Sequence, residues 1–139
     1  MSPRSIGRTQ RCSEADAATR LRHARLFLEV AELVADEADD IEYASPAAAL
    51  AVLAGIAASD AACCKALGRR YRGQDHREAA ALLERVTPGG RQAANSLSRL
   101  VDLKDEGHYG LFDVARKDLE SALRQGSSLV QFASETLQS

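Results

Sequence analysis

Residues 45–68 read SPAAALAVLAGIAASDAACCKALG, and the pattern of this stretch decides the fold. Ser45 stands as a helix N-cap, with Pro46 at the first helical position, where a missing N–H costs nothing. Gly68 is the matching C-cap, a residue at ease in the left-handed conformation that ends helices. At about 100° per residue, Leu53, Ile56, Cys63, Cys64 and Leu67 share a bulky apolar side. Ala51, Gly55, Ser59 and Ala62 form a ridge of small residues beside it, where another backbone can approach closely. A helix apolar nearly all round belongs at the centre of a bundle. Its most apolar run, residues 47–58, is too short to cross a bilayer and is followed by Asp60 and Lys65, so no membrane span is expected.

Working outward, capping signals and apolar periods place four more helices around this one. Ser13-Glu14-Ala15-Asp16 has the form of a capping box, and Leu21, Ala24, Leu28, Ala31 and Ala35 then recur at helical spacing to about residue 40. Asp75 caps a short helix running to about Val86. After the turn Thr87-Pro88-Gly89-Gly90, a fourth helix carries Leu97, Leu100, Val101 and Leu103. Gly107 and Gly110 bracket a break, and Asp113 caps a fifth helix with Leu119, Ala122, Leu123, Gly126, Leu129 and Ala133 on one side. The expected fold is all-α, a compact bundle of about five helices spanning 13–139, with a flexible basic tail at 1–12.

Composition agrees. The 139 residues suit one domain with a real core, and the 45% hydrophobic share leans on alanine, with only 4% aromatics and no Trp. Such a core fits close-packed helices better than a sandwich or barrel. A net charge of −2 excludes a polycation, so any phosphate binding must be local. Adjacent helical residues point apart, so Cys63 and Cys64 cannot easily bridge each other. No Cys or His spacing suggests zinc, no cofactor motif is present, and the arginine-bearing N-terminus lacks the apolar run of a signal peptide. A cytoplasmic protein in a reducing compartment is expected.

Asp60 falls in the middle of the bulky apolar side. A carboxylate there must be hydrogen-bonded, paired or protonated. One reading is a structural bond to an arginine, a tyrosine hydroxyl or a neighbouring helix; the other is the wall of a polar pocket, with Asp60 orienting a catalytic or phosphate-binding group. Just past the helix end, Lys65, Arg69, Arg70, Arg72 and Arg77 face Asp75 alone, and Tyr71 lies among them as a stacking surface for a base. Residues 29–42 hold seven acidic side chains and no basic one, which gives the molecule two electrostatic poles. Those poles, and the ridge at Gly55 and Ser59, suggest a homodimer; the ridge reads equally as internal packing.

The order of elements resembles the HEPN superfamily (higher eukaryotes and prokaryotes nucleotide-binding) over residues 15–137. Gly73-Gln74-Asp75-His76, followed by Leu82 and Leu83, is similar to the family's Gly-x-x-His-x-x-x-x-Leu pattern. The segment Leu103-Lys104-Asp105-Glu106-Gly107-His108-Tyr109-Gly110 resembles its Leu-Arg-x-x-Ala-x-Tyr segment, with Lys104 in place of the usual arginine. The resemblance implies a dimeric binding module for a nucleotidyltransferase partner, a nucleotide or RNA, in a toxin–antitoxin or defence setting. Active members are metal-independent endoribonucleases with an Arg-x(4–6)-His motif; five residues separate Arg70 from His76, and six separate Arg69 from it. In that alternative His76 moves the 2′-hydroxyl proton, Arg70 holds the phosphate and Asp60 positions one of them. Because His76 opens a helix, it corresponds better to the non-nucleolytic branch. Arg69, Arg72, Tyr71, Lys104 and Tyr109 complete the expected phosphate or nucleic-acid contacts. A purely structural dimerisation domain is the remaining alternative.

Overall fold

The computed structural model describes residues 7–37, 41–108 and 114–139, apart from the side chains of 41 and 104–108. It contains five helices: α1 (Glu14–Asp36), α2 (Ala44–Leu67), α3 (His76–Glu84), α4 (Gly90–His108) and α5 (Arg116–Gln138). A short antiparallel ladder joins β1 (Thr9–Arg11) to β2 (Arg69–Tyr71). The fold is the expected all-α bundle, with α2 at its centre packed against each of the other four helices and against β2.

Alanine explains the closeness of the central pair. Ala17, Ala24 and Ala31 of α1 and Ala47, Ala54, Ala58 and Ala61 of α2 are essentially inaccessible. The helices therefore meet on small side chains, and little rotamer entropy is lost there. Bulk enters from α3, α4 and α5, whose Leu83, Leu97, Leu100, Leu119 and Leu129 are fully buried. The ridge on α2 is where this bulk arrives: a Cβ added at Gly55 would collide with Leu100 and lie 3.1 Å from Leu129 Cδ1. Opposite it, a Cβ at Gly126 would sit 3.2 Å from the Ala51 carbonyl oxygen. The ridge is internal packing, so it does not supply the dimer interface that its small residues suggested.

α2 itself is 24 residues long, with a mean hydropathy of 1.8 over its most apolar window, enough by length and composition to cross a membrane. Within the bundle 78% of that window is buried, as a core helix should be.

Capping follows the sequence at α1, at the end of α2 and at α3, and departs from it at the starts of α2 and α5. Ser13 and Asp16 form the reciprocal capping box of α1, Gly68 closes α2 at φ 71°, and the Asp75 carboxylate accepts from Arg77 N–H at 2.9 Å. Ser45, however, is not the N-cap of α2. A 3-10 turn, Ile41–Tyr43, leads directly into Ala44, and Ser45 Oγ instead accepts from the Val114 N–H at 2.9 Å, tying the start of α2 to the approach to α5. Asp113, the expected cap of α5, lies outside the described residues; the N-cap position is held by Ala115, which makes no side-chain capping bond.

The N-terminal segment also departs from the expected tail. Thr9–Arg11 pairs with β2 in the register Thr9↔Tyr71, Gln10↔Arg70, Arg11↔Arg69. Cys12 then bonds Cys64 across a Cα–Cα distance of 5.3 Å, within the ordinary range for a disulfide. Cys63 stays a free, buried thiol, so the adjacent cysteines do not pair with each other. The reducing-compartment reading rested on that adjacency and on the odd count, and neither revealed a partner 52 residues away.

Candidate functional site

Asp60 sits two turns before the end of α2 and is only 7% exposed. Its Oδ2 accepts two hydrogen bonds from one guanidinium on α1, Arg20 Nε at 3.2 Å and Arg20 Nη2 at 3.0 Å. The same oxygen lies 3.6 Å from Arg70 Nη1 on β2. Asp60 is paired to arginine, and it also forms part of the wall of a cavity. Burial pushes its carboxyl above the ordinary value, and the charges of Arg20 and then Arg70 pull it back part of the way.

The cavity, about 1360 Å³, is bounded by α1, α2, β2, the loop into α3, and α4. Arg20, Asp60, Arg70, Tyr71, Arg72 and His76 line it, with Arg77 and Asp102 also contributing. Each gets there for a local reason. Arg70 reaches Asp60 and the bundle, while Arg69 is exposed and donates through Nε to Thr9 Oγ1 at 2.7 Å. Arg70 Nη2 donates to Gln10 Oε1 of the paired strand at 2.8 Å, which braces the side chain from the side opposite Asp60. The cysteine bridge anchors that strand to α2 at Cys64.

Tyr71 organises the loop. Its hydroxyl donates to Glu78 Oε2 at 3.0 Å and accepts from the Asp75 N–H at 2.9 Å, so the chain between them wraps around the phenol. A Cβ at Gly73 would run into that hydroxyl, which is why this turn requires glycine. The wrap delivers His76, half-buried, to the cavity as the first residue of α3. Arg72 and Arg77 reach the same space from exposed positions and carry no side-chain ion pair among the described residues.

Of the expected site residues, Asp60, Arg70, Tyr71, Arg72 and His76 line one cavity, and Arg69 does not. The Lys104 side chain and the whole of Tyr109 lie outside the described residues. Lys65, counted in the basic corner, is held by Glu14 Oε1 at 2.7 Å and is absent from the lining. Sequence reasoning missed Arg20. A buried carboxylate demands a cation, and Arg20 sits beside Leu21 at the edge of the α1 core stripe, where a long side chain can reach across. That demand was visible; which arginine answers it depends on how α1 packs. The cavity also holds Cys63, whose thiol is pushed up to about 12 by burial and by the Asp60 charge, so at neutral pH it is no nucleophile.

The lining sets four arginines, Arg20, Arg70, Arg72 and Arg77, against three carboxylates, Asp60, Asp75 and Asp102. Guanidinium groups offer planar donors suited to phosphate oxygens, Arg70 is pre-oriented from two sides, and the first turn of α3 opens toward the same space. No family model matches the chain, and no curated protein matches it.

Proposed function

We propose that the chain is a HEPN-like binding module that holds a phosphate group of a nucleotide or RNA in the arginine-lined cavity and acts as a homodimer, beside a nucleotidyltransferase-type partner. The observation that carries the ligand part is the convergence of Arg70, Arg72 and His76 on one cavity, with Asp60 holding Arg20 and Arg70 at its wall. Asp60 and Arg20 form the strut; Arg70, Arg72 and Arg77 supply the donors. The toxin–antitoxin or defence setting rests on the resemblance alone.

A test is fluorescence anisotropy with a labelled adenosine nucleotide and a labelled single-stranded oligoribonucleotide. Arg70→Ala and Arg72→Ala should each weaken binding about tenfold or more, and each lost phosphate contact on the RNA should flatten the log–log salt dependence by about 0.7. Arg91→Ala, an exposed arginine outside the cavity, should leave affinity unchanged. Absence of binding by folded protein at about 50 mM salt would sink the reading, as would binding indifferent to Arg70 and Arg72.

A second reading is favoured by one specific feature, the presence of Arg70 and His76 in the same cavity at the motif spacing. As an endoribonuclease, His76 would take the 2′-hydroxyl proton as the 2′-oxygen attacks phosphorus. The bond to the 5′-oxygen breaks to leave a 2′,3′-cyclic phosphate, the protonated His76 returns its proton to the leaving 5′-oxygen, and Arg70 neutralises the charge on the phosphoryl oxygens. RNA cleavage in EDTA that His76→Ala abolishes without loss of fold would move the conclusion to this reading.

A further inference from the structure

Helix α1 carries a second apolar stripe that its packing does not use. Leu26, Val30 and Leu33 are 51%, 43% and 60% exposed, three of the most exposed large hydrophobic residues among the described ones. They recur at helical spacing and lie about 180° around the wheel from the core stripe of Ala17, Ala24 and Ala31. Side-chain contacts fix the two flanks: Arg20 reaches α2 at Asp60, and Arg25 Nη2 reaches α5 at Ser134 Oγ, 2.8 Å away. The Leu26–Val30–Leu33 sector therefore faces away from both neighbours.

Charge is distributed along this face in a way that selects its occupant. Arg22 precedes the stripe by one turn, and Asp36 and Glu37 follow it by one turn. All three are exposed, and none has a side-chain ion pair among the described residues. The ends of the stripe are complementary to each other about a midpoint near residues 29 and 30, with the exposed Glu29 and Glu32 on its flank. Two α1 helices laid antiparallel about that point put Leu26 against the partner's Leu33 and Val30 beside the partner's Val30. Arg22 then meets the partner's Asp36 and Glu37, and the same contact repeats at the other end. An isologous twofold interface demands just such a patch, one that is its own complement. A parallel pairing would place acid against acid.

We infer that the outer face of α1 is the homodimer interface of this protein, formed by antiparallel pairing of Leu26, Val30 and Leu33 with acid–base contacts at both ends. The inference rests on the dimer in the proposed function and gives it a surface in place of the buried Gly55 ridge. Leu26, Val30 and Leu33 are absent from the cavity lining, to which α1 contributes Arg20 on its α2 flank.

Light scattering coupled to size exclusion, from about 1 to 100 µM, tests both levels. The wild type should run as a dimer, and Val30→Asp, at an exposed position, should run as a monomer with unchanged circular dichroism. Arg22→Glu, and separately the pair Asp36→Arg with Glu37→Arg, should each weaken self-association about tenfold or more; mixed together, these two proteins should form a heterodimer. A wild type monomeric at about 100 µM would overturn the dimer itself. A dimer untouched by Val30→Asp, or charge variants that fail to rescue each other, would overturn this interface and leave dimerisation to another face.

Discussion

Asp60 is the residue at which burial and charge pull in opposite directions. Desolvation raises its carboxyl above the ordinary value of 3.8, and Arg20 and Arg70 lower it again without cancelling the rise. The sign matters for stability. A carboxyl raised in the folded state binds its proton more tightly there than in the unfolded chain, so its contribution is present at low pH and is lost as pH rises through the folded value. Glu14, paired with Lys65, and Asp16, in the capping box, are lowered and run the other way, losing their contribution as pH falls. Urea midpoints of wild type and Asp60→Asn should therefore diverge with pH: the stability of wild type relative to the variant should fall as pH rises past the ordinary carboxyl value of 3.8 and level off above the raised folded value. A relative stability that climbs over that range would mean the arginines outweigh burial. That Asp60 needed a partner was legible in the sequence, because a charge in an apolar stripe has few solutions. Its partners were not, since Arg20 is 40 residues away and Arg70 reaches it through a strand that sequence periodicity does not reveal.

Among elements, the helices were legible and the small ladder was not. Three residues per strand give no period to read, and Thr9-Gln10-Arg11 carries none of the apolar alternation that marks a half-buried strand. The ladder forms because Gly68 turns the chain back beside the α2 terminus, where Cys12 N–H donates to the Gly68 carbonyl at 2.9 Å and the bridge to Cys64 fixes the crossing. Ser45 illustrates the opposite error, a strong cap signal spent on a tertiary bond to Val114 because a 3-10 turn already leads the chain into α2. The bridge makes a prediction at this scale. The oxidised protein, denatured without reductant, should titrate one free thiol, Cys63. Reduction or Cys12→Ser should lower unfolding free energy by about 2–4 kcal/mol, the range for closing a loop of this order. Three titratable thiols in freshly purified protein, with a urea midpoint insensitive to reductant, would show that the bridge is not formed.

For the whole molecule, the two poles seen in the sequence resolve into different tasks. The basic cluster divides: Arg70, Arg72 and Arg77 serve the cavity, whereas Lys65 is spent on Glu14 and Arg69 on Thr9. On α1 Asp36 and Glu37 of the acidic pole lie one turn beyond an exposed apolar stripe, Glu29 and Glu32 lie within its span, and Arg22 lies one turn before it. Residues 70–76 could be picked out in advance because charge and a lone histidine concentrate there; their convergence with Asp60 depends on the β2 pairing and the Tyr71 wrap, both tertiary. The most direct test of the central claim is a backbone amide NMR titration of the full chain with an adenosine nucleotide. Shifts concentrated at Asp60 and at residues 70–77, saturating with ligand and absent in Arg70→Ala, are the predicted result. Saturating shifts elsewhere, or no shifts at millimolar nucleotide, would contradict it and leave the cavity without its ligand.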